Sequence, residues 1–331
     1  MNKVGLGTCF QGARVMSKVV LGIDVAKRKL DVALMFDNKV LVKKFDNAVT
    51  GFKLLQGWLM SLHHEQVHVC LESTGAYSEA VAEFLHERGH SVSLVNPLRI
   101  KGFAKSDLQR NKTDTADART IAAFCLAKDP EQWHPLPPAI KQLQALTRRI
   151  ESLQGILNSE QNRLEVAEPG VQPSLKRVIR TLEKEIELVQ CLIKEHIDDH
   201  PDLKGQSDLL QSIPGIGEKT AAILLGELEF AAFGSARALA AQAGLTPQKF
   251  QSGTSVDRTR LSKLGNGRIR KALYFPAMTA LKYNEIVKKF ASRLSQNGKT
   301  PMQVICASMR KLLHIAFGVI KHNRPFDPNL A

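Results

Sequence analysis

Val19-Val20-Leu21-Gly22-Ile23-Asp24-Val25 is an apolar run closing on an acid, and Leu30-Asp31-Val32-Ala33-Leu34-Met35-Phe36 follows after a short basic break. Two such runs read as neighbouring strands. Asp37-Asn38 is a turn pair, and Val40 to Phe45 makes a third short strand. Working outward, Phe52, Leu55 and Leu59 have helical spacing. Val67-His68-Val69-Cys70-Leu71-Glu72 is another strand ending in an acid. Gly75 breaks the chain, and 77–88 reads as a helix through Ala80, Val81, Phe84 and Leu85, stopped by Gly89. Val92 to Val95 is a strand ended by Asn96-Pro97.

This βββαβαβ order, up to about residue 127, predicts a ribonuclease-H-like mixed α/β sheet. The whole chain has 331 residues, more than one hydrophobic core usually serves. Hydrophobic residues at 44% and charged residues at 24% exclude wholesale disorder. No unbroken apolar run approaches the ~20 residues of a membrane span, and Met1 to Val15 has no signal-peptide core. Cys9, Cys70, Cys125, Cys191 and Cys306 lie far apart with no CxxC, which argues against a zinc ribbon and a disulfide scaffold. Reduced thiols and a cytoplasmic protein, nucleoid-associated when acting, are the expectation. Ser17-Lys18 leads straight into the first strand, so residues 1–17 are expected to be an extension, with Met16 a candidate start.

Lys plus Arg number 46 against 32 Asp plus Glu, a formal charge of +14. Nearly all of it sits at one end. From Gln248 to Ala331 sixteen basic residues face Asp257, Glu285 and Asp327, a net of +13, while the first 247 residues are close to neutral. A cationic domain binds polyanions by counterion release, which makes nucleic acid the expected partner. No Trp/Phe-rich amphipathic helix accompanies the charge, so a membrane surface is not expected.

Between the two ends the period changes. Leu143, Leu146, Ile150, Leu153 and Leu157 step by 3 and 4; after Glu168-Pro169-Gly170 a second series runs Leu175, Ile179, Leu182, Ile186, Val189, Ile193. These heptad seams predict a helical hairpin or coiled coil that dimerises, with an intramolecular bundle packed on the α/β domain as the alternative. The expected division is 1–17 extension, 18–138 catalytic α/β domain, 139–206 coiled-coil arm, and 207–331 basic, mainly α domain.

Three constellations carry chemistry. Asp24 and Glu72 lie at strand ends, where a sheet rim meets ligand. Asp114 and Asp117, in Asn111-Lys112-Thr113-Asp114-Thr115-Ala116-Asp117-Ala118-Arg119, share one face of a helix start. A helix cap accounts for Asp114 but not also for Asp117 three residues on. Four converging carboxylates repel unless a divalent cation neutralises them, and Mg²⁺ (or Mn²⁺) with phosphodiester chemistry fits. Next, Ser212-Ile213-Pro214-Gly215-Ile216-Gly217-Glu218-Lys219-Thr220 reads as a helix-hairpin-helix-like turn. Gly215, Gly217, Lys219 and Thr220 there would grip a phosphate without reading sequence; a plain helix connection is the alternative. Last, Gly244-Leu245-Thr246-Pro247 leads to Ser252-Gly253-Thr254-Ser255 on what reads as a glycine-containing loop. Beside it stand Arg258, Arg260, Lys263, Arg268, Arg270 and Lys271. A hydroxyl among cations can attack a phosphate, though by spacing alone a loop that only contacts phosphate is the simpler reading.

These motifs together resemble the DEDD-type transposases of bacterial insertion sequences, the IS-one-ten family of bridge-RNA-guided serine recombinases. The resemblance runs from about residue 18 to 327. It rests on Gly-Ile-Asp-Val-Ala-Lys at 22–27, Leu-Glu-Ser-Thr-Gly at 71–75, Asn111 to Arg119, Ser-Ile-Pro-Gly-Ile-Gly at 212–217, Gly-Leu-Thr-Pro at 244–247 and Leu261 to Leu273. It implies a RuvC-like domain whose acids are Asp24, Glu72, Asp114 and Asp117. Ser252 would attack DNA to form a transient phosphoserine link. The arm would join protomers into a dimer or tetramer, with acids of one chain beside the serine of another. A structured bridge RNA would pair with donor and target DNA, so that base pairing rather than protein reads sequence. Thr254 and Ser255 are the fallback nucleophiles. Two other functions stay open: a RuvC-like junction resolvase or nuclease using metal-activated water, and a non-catalytic nucleic-acid-binding protein.

Overall fold

The computed structural model describes residues 18–73, 75–106, 114–252 and 256–329; of Ala76, Asp114, Thr115, Ser252, Val256, Asp257 and Arg258 only the backbone is described. The expected extension 1–17 lies outside these residues. The chain divides into two compact units, Met1–Pro135 and Leu136–Ala331.

The first unit is a five-stranded mixed sheet of order β3-β2-β1-β4-β5. β1 (Val20–Val25), β2 (Lys29–Phe36) and β3 (Lys39–Asp46) form an antiparallel meander, and β4 (His68–Glu72) and β5 (Ser91–Val95) run parallel to β1. Asp37 and Asn38 both take positive φ (45° and 60°), the geometry a two-residue hairpin needs to match strand twist. The alternating residues of β1 sort the two faces. Leu21, Ile23 and Val25 pack under α1 (Val49–Ser61) and α2 (Ala76–His86) through Phe52, Leu55, Leu59, Val81 and Leu85. Val20 on the other face packs under α3 (Pro97–Ser106) and α4 (Asp114–Lys128) with Cys70, Ile100, Ile121 and Cys125. Cys70 and Cys125 are buried free thiols, as a packing role requires. Their shared hydrogen bond holds the Cys125 thiol down at about 6 and pushes Cys70 up.

One residue lets α4 come close. A Cβ built on Gly22 would lie 2.3 Å from both the Ala118 carbonyl oxygen and the Ala122 amide nitrogen. Glycine is the residue that allows backbone to meet backbone there.

The second unit opens on α5 (Pro138–Glu165) and α6 (Gln172–Asp198), which fold back on one another as a hairpin. It continues through α7 (Pro201–Gln211), α8 (Glu218–Glu227), a short 3₁₀ turn, α9 (Ala236–Gln242), β6 (Pro247–Ser252), β7 (Val256–Leu261), α10 (Gly267–Tyr283), α11 (Glu285–Gln296) and α12 (Pro301–His322). The heptad residues Leu143, Leu153, Leu157, Ile179, Ile186, Val189 and Ile193 are buried in one core with α7 to α12. The seams are therefore covered inside the chain, and α5 packs against α8 of the C-terminal helices. The stretch read as a loop around Ser252 is instead a strand: Pro247–Ser252 pairs with Val256–Leu261 in an antiparallel hairpin, with Phe250 opposite Arg258. Alternating Lys249, Phe250 and Gln251 fit a pleated ribbon. α12 is by length and composition apolar enough to cross a membrane. Its face of Val304, Met309, Leu312, Leu313, Ala316 and Phe317 is buried in the core of the second unit, as a globular core helix would be.

Candidate active site

In the first unit the candidate acids gather at one edge of the sheet. β1 and β4 pair in parallel with Ile23 level with Leu71. Continuing that register by one residue sets Asp24 level with Glu72, on strands about 4.8 Å apart and on the same face. α4 crosses that face antiparallel to β1. Ala118 and Ala122 lie over Gly22, and the Cys125 thiol reaches the His68 carbonyl (3.8 Å) near the other end. The helix start, with Asp114 and Asp117, therefore comes down at the C-terminal edge of β1 and β4, beside Asp24 and Glu72. Asp24, Glu72 and Asp117 are half-buried; the side chain of Asp114 lies outside the described residues. Among the described residues no three His, Cys, Asp or Glu side chains converge closely enough to cage a metal ion. The donor set is all carboxylate oxygen, which suits a hard ion that keeps water ligands rather than a soft one.

The sheet adds an acid that motif reading passed over. Asp31 pairs with Asp24 across β1–β2 and with Lys44 across β2–β3. Lys44, Asp31, Asp24 and Glu72 thus form one row across four strands. The Asp31 side chain is 3% exposed, and Lys29 Nζ (3.3 Å) and Lys44 Nζ (3.2 Å) approach its two oxygens. Asp31 sits inside an apolar run, and only strand register reveals that it shares a face with the site.

In the second unit the candidate phosphate contacts separate into kinds. Gly215 has φ +109°, and a Cβ there would meet the Pro276 carbonyl oxygen at 2.8 Å, so this glycine serves the packing of the α7–α8 turn on α10. Gly217 is the open N-cap of α8, with Lys219 and Thr220 in the first turns and Glu218 already at the positive end of the dipole. Arg270 donates to the carbonyls of Ala243 (3.0 Å) and Gly265 (3.4 Å) and so braces the 243–265 turn. Arg268 and Lys271 pair with Glu151 of α5 at 2.9 and 3.2 Å. Partial burial pushes the Glu151 carboxyl up, and the hydrogen bonds and charges of Lys271 and Arg268 outweigh it, holding the group below its ordinary range. Arg260 and Lys263 stay exposed, while the side chains of Arg258 and Ser252 and the whole of Gly253, Thr254 and Ser255 lie outside the described residues.

A further network fixes α10. Glu227 at the end of α8 is 3% exposed and receives Arg148 Nε (2.8 Å) and Asn266 Nδ2 (2.7 Å). The Oδ1 of Asn266 also accepts from the Arg268 amide (2.9 Å), capping α10. Asn266 stood inside the Leu261–Leu273 motif; Arg148 and Glu227 carried no local signal. Replacing Glu227 by alanine leaves Arg148 without its bidentate partner and unties α10. The expected loss is about 2–4 kcal/mol, below the usual cost of breaking a fully buried pair because Arg148 is partly exposed. Thermal unfolding would show it as a melting temperature about 5–15 °C lower; an unchanged one would refute the role.

Residues 21–167 match the DEDD-type IS110 family described as Transposase, and residues 207–292 match the Transposase IS116/IS110/IS902 family. The Pilin gene-inverting proteins of Moraxella lacunata and Moraxella bovis are each 36% identical over 95% of this chain and 99% of their own length. The chain belongs to the IS110 family of transposases. The Transposase for insertion sequence element IS1328 of Yersinia enterocolitica, 25% identical over 78% of this chain and 85% of that one, is a more distant relative. Among solved structures, T. thermophilus RuvC in complex with Holliday junction substrate covers 33% of this chain and 94% of that one, at 16% identity and a TM-score of 0.26. As a transposase of this family the protein acts on DNA. Asp24, Glu72, Asp114 and Asp117 fall inside the first matched region and Ser252 inside the second.

Proposed function

We propose that this transposase cuts and exchanges DNA strands with the carboxylates of the first unit and Ser252 of the second. The observation that carries the reading is the placement of Asp24 and Glu72 side by side under the start of α4. Asp24, Glu72, Asp114 and Asp117 would hold Mg²⁺ or Mn²⁺, which when bound neutralises charge on the scissile phosphate. The Ser252 Oγ attacks phosphorus; the Oγ–P bond forms, the bond from phosphorus to the leaving sugar oxygen breaks, and that oxygen takes a proton. Attack by the hydroxyl of an incoming strand reverses the step and returns the hydrogen to Ser252, so no external energy source is needed. Relatives that bear the name Pilin gene-inverting protein favour this strand-exchanging chemistry over hydrolysis. A structured bridge RNA that pairs with donor and target DNA belongs to the same reading, supported by the net +13 of the last 84 residues. So does a dimer or tetramer through the α5–α6 hairpin, where Leu188 and Leu192, one turn apart on α6, stay exposed.

The test is a denaturing gel. Wild-type protein with its element-end DNA and Mg²⁺ is expected to give a protein-linked DNA band. Asp24→Asn, or a chelator, is expected to remove it while DNA retention on a native gel persists. A band that survives both would overturn the metal–carboxylate assignment. Cleavage with no linked band in the wild type would favour the hydrolytic nuclease instead.

A further inference from the structure

Beside the β6–β7 hairpin the second unit carries an open groove of about 760 Å³, inside the ~300–1,000 Å³ range of clefts that hold small ligands. Its floor is apolar: Leu261 of β7, Leu294 of α11, and Met302 and Cys306 of α12. Four cations, Arg260, Lys263, Lys299 and Arg310, line it as well, and no Asp or Glu does among the described residues. This contrasts with Arg268 and Lys271 nearby in sequence, whose charge Glu151 already takes up. Four cations of the basic domain that form no ion pair with an acid among the described residues thus line an apolar recess, Arg310 also donating to the Leu245 carbonyl at 3.3 Å.

We infer that this groove holds single-stranded DNA, with an unstacked base on the apolar floor and the flanking phosphates on the four cations. A duplex offers a protein surface its sugars and phosphates and keeps base faces stacked, so an apolar recess gains nothing from it. A single strand can bury a base face and pair its phosphates at the same time. The groove also sits at the base of the hairpin that carries Ser252, within reach of a strand linked there, a point that rests on the proposed role of Ser252. Pro247 and Leu261 are paired at the base of the hairpin and Ser252 ends β6. Five residue steps of strand span about 17 Å, at most about five nucleotides, since an unstacked strand covers more than the ~3.4 Å per nucleotide of a duplex strand. The base captured would lie a few nucleotides from the linked phosphate.

Cys306, half-buried in the floor, is a built-in probe, and the exposed Cys191 on α6 is an internal reference. Maleimide labelling of full-length Ser252→Ala protein, read by peptide mass spectrometry, is compared with and without an oligonucleotide of about ten nucleotides, a length within the usual span of single-strand sites. Saturating single-stranded DNA is expected to slow labelling of Cys306 roughly tenfold, with Cys191 unchanged. The matching duplex and RNA of the same sequence are expected to leave it nearly unaltered. Met302→Glu, at an exposed position in the first turn of α12 where an acid suits the helix dipole, is expected to weaken single-strand affinity at least about tenfold with no loss of melting temperature. Lys299→Ala is expected to lower the slope of log affinity against log salt by about 0.7. Absent protection, equal protection by duplex or RNA, or protection that rises with protein concentration alone would overturn the inference, the last by assigning the groove to a second copy. The background lacks the serine hydroxyl, so protection there stands whether or not Ser252 is the nucleophile.

Discussion

Ser252→Ala is expected to abolish the protein-linked DNA band and strand exchange, with a loss of at least ~10³-fold, the scale on which removal of a covalent nucleophile acts. DNA and RNA retention are expected to persist, because the substitution removes no cation of the basic domain. Ser252 ends β6, opposite Val256, so alanine fits the backbone there and unfolding does not mask the result. Wild-type excision by this variant would transfer the role to Thr254 or Ser255. Cleavage that survives Ser252→Ala yet is lost in Asp24→Asn would instead identify metal-activated water as the nucleophile.

Gly22→Ala is expected to be strongly damaging for a single added methyl. The added carbon would sit 2.3 Å from two backbone atoms of α4, and a backbone cannot turn aside as a side chain can. Relief requires α4 to rise from β1 by about 1 Å. Overpacking of this kind costs about 3 kcal/mol or more, and the melting temperature is expected to fall by about 10–20 °C. The same shift lifts Asp117 away from Asp24 and Glu72, and a misplacement of about 1 Å is expected to cost ~10²-fold in metal-dependent cleavage. Gly57→Ala in α1 is the control. Nothing lies within 4 Å of its added Cβ, so stability is expected to rise by about 0.5–1 kcal/mol. A Gly22→Ala protein that melts and cleaves like the wild type would sink the account of how α4 is seated.

The βββαβαβ succession of the first unit could be read locally. Val20 to Val25 and Lys29 to Phe36 are too apolar to leave the core, Asp37-Asn38 permits the turn, and the 3–4 steps of α5 and α6 allow only helices. The Gly22 motif was also visible, though not its reason, which is a contact with residues nearly a hundred positions later. The strand at Ser252 was missed because a six-residue ribbon of mostly polar residues has little apolar alternation, and its partner strand supplies the hydrogen bonds that define it. The heptad seams showed that α5 and α6 pair, but not with what else. Their burial against the C-terminal helices follows from long-range packing that an amphipathic pattern does not encode.

By itself, then, the sequence determined the five strands of the first unit and the paired helices α5 and α6, where the four acids and the serine stand along the chain, and that the cations collect at one end. Periodicity and charge are properties of neighbours in the chain. Tertiary structure alone decided that Lys44, Asp31, Asp24 and Glu72 share a row, because register is set between strands. It alone decided that Glu151 takes up Arg268 and Lys271 while Arg260, Lys263, Lys299 and Arg310 surround an apolar recess. A cation's availability to phosphate depends on which acid the fold brings to it, and that acid here lies more than a hundred residues away.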